Sequence, residues 1–63
     1  MNAADKHQAA YERWFRALHR TQLLVAAMSL ATTESEHAEA AAKHWRALKF
    51  QRYCYAEMLE AAK

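Results

Sequence analysis

The chain contains no glycine and no proline. Glycine supplies the positive-φ corners of tight turns and proline the fixed-φ ones, so the usual punctuation of β-hairpins and short loops is missing. Alternating apolar and polar runs are missing as well, which leaves helix as the one secondary structure that fits the pattern. Cysteine is nearly absent. A single thiol, Cys54, cannot close an intramolecular disulfide, and a zinc site of the two-cysteine, two-histidine kind would lack its second thiolate. A reducing, cytoplasmic setting is the expectation.

Long hydrophobic runs are lacking too. The longest uncharged stretch is Thr21 to Thr33, and its apolar heart, Leu23 to Leu30, falls far short of the ~20 residues that cross a bilayer. No membrane partner is expected. The segment ahead of it is long and amphipathic, with aromatics and acids, unlike the short basic start of a secretory leader. Net charge is also small: nine basic against seven acidic residues give +2, too little to argue for a polyanion by itself.

What remains is a 63-residue, Ala-rich helical chain, enough for one domain. A core of this size supplies only ~3–5 kcal/mol before some staple is needed, and self-association is the staple at hand. One break is visible. In Thr32-Thr33-Glu34-Ser35-Glu36 the Thr33/Glu36 spacing is that of a capping box, and Glu34 and Glu36 suit the positive end of a helix dipole. This predicts helix 1 over residues 3–31, a turn at 32–33 and helix 2 over 34–62. The fold class expected is all-α, an antiparallel two-helix hairpin that dimerises into a four-helix bundle. Residue i should face residue ~65 − i across so short a turn.

Heptad spacing suggests the seam. Helix 1 offers Tyr11, Trp14, Leu18, Val25 and Met28, with Phe15 and Gln22 at the edge; helix 2 offers Ala41, Trp45, Leu48, Tyr55, Leu59 and Ala62. Leu23, Leu30, Phe50, Tyr53 and Cys54 then fall on other faces, and burial against a second copy or a partner is their expected role. An internal echo also runs through the chain. Phe15-Arg16-Ala17-Leu18 resembles Trp45-Arg46-Ala47-Leu48 at an offset of thirty, an offset shared by His7/His37, Ala26/Ala56 and Met28/Met58; a true duplication would make the hairpin pseudo-symmetric.

The charges are sorted along the rod. Arg13, Arg16 and Arg20 in helix 1 and Lys43, Arg46, Lys49 and Arg52 in helix 2 should come level as a basic belt, while all seven acids lie towards the ends. Arg13, Arg16 and Arg20, joined by Lys6, share one outward stripe, and Lys43, Arg46, Phe50 and Tyr53 share another, mixing cations with flat rings. Arg13, Arg16, Arg20, Lys43, Arg46 and Lys49 are therefore the candidates for contact with an anionic partner. Solvation and the i,i+4 pairs Glu12 with Arg16 and Glu39 with Lys43 are the plainer explanation for several of them. Arg52 is expected in the seam, its head received by Glu12.

No catalytic, cofactor or metal residue is assigned. Glu34 and His37 have the Glu-x-x-His spacing of carboxylate-bridged metal bundles, but the inward carboxylates that such a site needs are not at that level. His7 and His37 could meet only in a head-to-tail dimer, as metal or haem ligands. Cys54 has no base at the right azimuth. The first functional expectation is a non-enzymatic homodimer, an adaptor, regulator or small chaperone that docks a partner protein; the alternative is a dimeric nucleic-acid binder using the belt, with a metal or haem bundle a remote third.

Overall fold

The computed structural model describes residues 3–63. Among them are two α-helices and no strand: α1 is Ala3–Leu30 and α2 is Glu34–Ala61. They fold back on each other as a hairpin whose Cα trace measures 49 × 14 × 12 Å.

The turn is built without any residue at positive φ. Thr33 takes the N-cap of α2 in an extended conformation, φ −128° and ψ 158°, and its side chain accepts the Glu36 backbone N–H at 3.1 Å. That is one half of the expected capping box. The other half is shifted by a residue, because the Glu36 carboxylate reaches past the cap and accepts both the backbone N–H and the hydroxyl of Thr32, each at 3.1 Å. Glu36 thereby braces the turn as well as the helix start.

The seam is made of small residues, and here the structure corrects the sequence reading. Ala10, Ala17, Thr21 and Cys54 are the buried residues, flanked on the same line by half-buried His7, Trp14, Leu24 and Met28 in α1 and by Ala40, His44, Ala47, Gln51, Met58 and Ala61 in α2. Both series step by three and four, the spacing of a two-helix seam. Of the side chains expected there, Tyr11, Val25, Trp45, Tyr55 and Leu59 are 42% to 59% exposed. The reason is steric. Alanine, threonine and cysteine let the two backbones approach, and the bulky side chains one position to the side cannot enter the gap and so line its flank.

Buried polar groups in this seam are handled unevenly. Thr21 donates its hydroxyl to the Ala17 carbonyl at 2.9 Å, the usual way a helix hides a threonine. The Gln51 Oε1 atom is buried and has no hydrogen-bond partner.

The register differs as well. Arg13 meets Glu57 and Trp14 meets Tyr55, whereas the expected level placed Arg13 opposite residue ~52. Residues 32–39 are all exposed while Ala31 is still half-buried. The first turn of α2 therefore projects past the end of α1 before its seam residues come level, which shifts the pairing by about one helical turn. Arg52 consequently lies exposed on the flank and not in the seam, and Glu12 accepts a hydrogen bond from Gln8 at 3.3 Å instead.

Candidate functional site

A 3–4 seam gives each helix two flanks. In an antiparallel pair the flank that follows the second seam position on one helix meets the same flank on the other, so the hairpin has two broad faces of different composition. One carries the residues one step beyond the seam. Tyr11, Phe15, Leu18 and Val25 of α1 lie beside Trp45, Leu48, Tyr55 and Leu59 of α2. Ring contacts tie this face together: Tyr11 with Trp14 at 5.7 Å, Tyr11 with Phe15 at 6.3 Å, and Trp14 with Tyr55 across the seam at 6.0 Å. Arg52 is the one charge set among them. Of the stripes that the sequence offered as the seam, Trp14 and Met28 do lie on it, while Tyr11, Leu18 and Val25 of α1 and Trp45, Leu48, Tyr55 and Leu59 of α2 are neighbours displaced from the gap onto one outer face.

The other face holds a shallow trough of about 680 Å³ lined by Arg13, Arg16, Ala17 and Arg20 of α1 and Lys43, Arg46, Ala47 and Phe50 of α2. Five cations and no carboxylate line it. The alanines are its floor, because they are the seam residues between the two basic walls. Every lining residue of α1 has its counterpart thirty positions later, Arg13 with Lys43, Arg16 with Arg46, Ala17 with Ala47 and Arg20 with Phe50. The internal echo therefore lands on equivalent positions of the two helices, and the trough has an approximate two-fold axis that Phe50 alone breaks in side-chain character.

Two of the five cations are partly neutralised. Arg13 places Nη2 2.7 Å and Nε 2.8 Å from Glu57 Oε1, and Lys43 lies 3.4 Å from Glu39. Among the described residues no carboxylate pairs with Arg16, Arg20 or Arg46, and the Glu12 to Arg16 pair does not form. On the α2 wall of the trough, Phe50 stacks with Tyr53 at 6.4 Å with their rings 21° apart, both largely exposed. Leu23 and Leu30 are exposed on the α1 side. Lys49 is exposed but is not part of the lining.

Cys54 is placed differently from the sequence reading. At 1% exposure it is covered within the hairpin itself, so it cannot be a contact with a partner or a second copy. Burial pushes its pKa above the ordinary value of 9.0, the Glu57 carboxylate adds to the rise, and Arg13 opposes it. It is a protonated packing group at neutral pH. His44 is ten residues away on the same helix, ~15 Å along the axis, too far to serve it as a base.

For metal chemistry, no group of three His, Cys, Asp or Glu side chains among the described residues is arranged to hold an ion. His7 borders a small hollow at the open end of the hairpin with Ala4, Ala61, Ala62 and Lys63, and His37 is exposed beside the turn. Among the described residues no helix is long and apolar enough to cross a membrane. Comparison with family models, with curated proteins and with solved structures finds no match to this chain.

Proposed function

We propose that this chain is a non-enzymatic interaction protein that works as a homodimer: the aromatic and aliphatic face is covered by a second copy, and the basic trough faces outward to dock an anionic partner. The observation that carries this reading is the difference between the two faces: Tyr11, Phe15, Val25, Trp45, Tyr55 and Leu59 lie exposed together on one, and five cations line the trough on the other.

Surface area supports the dimer. A compact protein of 7.3 kDa exposes about 4,200 Å², and this hairpin exposes 4970 Å². The surplus of about 800 Å² is what one partner hides in a standard protein interface. Pairing the apolar faces makes a four-helix bundle in which Trp45, Phe15, Tyr55 and Leu18 form the second core layer. The small seam then serves as the inner contact of each hairpin and the large side chains as the contact between hairpins. A non-enzymatic role fits a trough that is open and shallow, holds no nucleophile, and has no acid–base pair on its walls. A reducing, cytoplasmic location fits the single buried thiol.

Sedimentation equilibrium tests the reading. The wild-type chain and Arg46→Glu should both sediment as dimers, while Trp45→Glu, which places a charge in the middle of the apolar face, should sediment as a monomer. A wild-type monomer at high concentration would overturn the proposal.

A further inference from the structure

Docking surfaces for proteins are depleted of charge at their centre and polar at their rim. The trough is not depleted: five of its eight lining residues are cations, Arg13, Arg16, Arg20, Lys43 and Arg46, against one large apolar side chain, Phe50. A protein helix laid into it would have to bury Arg16, Arg20 and Arg46, which no carboxylate among the described residues pairs, whereas a phosphate backbone supplies the missing charge along its whole length. Four of the five cations are arginines, whose planar guanidinium groups match phosphate oxygens two at a time.

Phe50 and Tyr53 add a second, independent feature. They are solvent-exposed rings lying nearly parallel beside the cations. Double helices keep their base faces covered, so a ring platform beside a basic groove is of use only to unpaired bases, and this combination is how single strands are held without sequence preference.

Resting on the reading above for which face points outward, we propose that the basic trough binds single-stranded nucleic acid, with the arginines on its phosphates and a base stacked on the Phe50/Tyr53 pair. Each dimer then carries two such sites on opposite sides of the bundle.

The test is fluorescence anisotropy with a fluorescein-labelled single strand of mixed sequence, as RNA and as DNA, its duplex, and a labelled acidic amphipathic peptide, with the mass of every variant checked in parallel. The single strands should bind most tightly. If all five cations engage phosphates, raising salt from about 50 to about 200 mM should cost on the order of 100-fold in affinity. Arg16→Ala with Arg46→Ala should weaken binding on the order of tenfold and flatten the salt slope; Phe50→Leu with Tyr53→Leu should weaken it on the order of tenfold and leave the slope unchanged. No binding of any oligonucleotide by an intact dimer at low salt overturns this inference while leaving the dimer standing. Tighter binding of the duplex that ignores the ring variant overturns the single-strand assignment, and tighter binding of the acidic peptide assigns the trough to a protein. A monomeric wild type is the separate failure of the reading beneath it.

Discussion

Arg13 reaches across the hairpin to Glu57 and directs both Nε and Nη2 to the same carboxylate oxygen, at 2.8 and 2.7 Å. It is the one ion pair between α1 and α2 that the described residues show, and it sits where the basic trough runs out and the acidic end of the rod begins. Both side chains remain partly exposed, 45% and 35%, so solvent and salt screen the pair and it is worth roughly 0.2–1 kcal/mol. A double-mutant cycle of Arg13→Ala and Glu57→Ala by urea denaturation should return a coupling of that size, shrinking as salt is raised. A coupling well above it, or one indifferent to salt, would mean that the pair is desolvated in solution.

The same two residues bear on Cys54, which burial, with help from Glu57 and against Arg13, holds protonated. The thiol pKa is raised in the folded chain, so the stability it contributes is complete below its ordinary value of 9.0. That contribution is lost as pH climbs through the raised folded value. The melting temperature should therefore fall above pH 9, and Cys54→Ala should remove part of that fall. Parallel pH curves for the two proteins would refute the assignment. At neutral pH the covered, protonated thiol should resist alkylation by iodoacetamide until the chain unfolds.

Gln51 sits on the seam with a buried Oε1 that nothing satisfies. An orphaned acceptor costs about 1–3 kcal/mol relative to a satisfied one, and an apolar group of similar shape avoids that cost. Gln51→Leu should raise the unfolding free energy by about 1 kcal/mol, read from the urea midpoint at unchanged slope. A loss of stability would show that the amide finds a partner in solution.

Local chemistry and the two-helix hairpin were legible in the sequence, with Trp14 and Met28 correctly on the seam, and most of the remaining seam was not. The Thr33 cap, the acids at Glu34 and Glu36 and the two long helices follow from neighbours within one turn of each other, so the chain announces them directly. Thr33→Ala should accordingly cost ~1 kcal/mol; Glu36→Gln should cost less, because the amide oxygen can still accept from Thr32. The seam was harder for a physical reason. Two stripes with the same 3–4 spacing run side by side, one of alanine, threonine and cysteine and one of tryptophan, tyrosine and leucine. Weight by hydrophobicity selects the second, while the approach of two backbones requires the first. The register was hidden for a related reason, since the overhang of the first turn of α2 depends on how that small seam interlocks. The arginine stripe was legible because outward azimuth depends only on helical period, and the thirty-residue echo, weak as a string, became visible as symmetry once the trough was formed.

The exposed apolar face bears on stability through the second copy proposed to cover it. Among the described residues the fully buried apolar ones are Ala10, Ala17 and Cys54, with Trp14, Leu18, Leu24, Met28, Leu48 and Met58 only half-buried, a thin core for two 28-residue helices set against the entropy of ordering them. If the second copy supplies the remaining burial, folding and association are one equilibrium, and dilution must lower the melting temperature. Trp45 lies on that face and is 59% exposed in the single hairpin. With Trp14→Phe leaving Trp45 as the single tryptophan, its emission should be blue-shifted at high concentration and move to longer wavelength on dilution, in step with the loss of helical circular dichroism. Arg16→Ala and Arg20→Ala, on the opposite face, should leave both curves in place. A melt independent of concentration, together with a solvent-exposed Trp45 spectrum at every concentration, would show that the hairpin stands alone and that its apolar face is kept for something else.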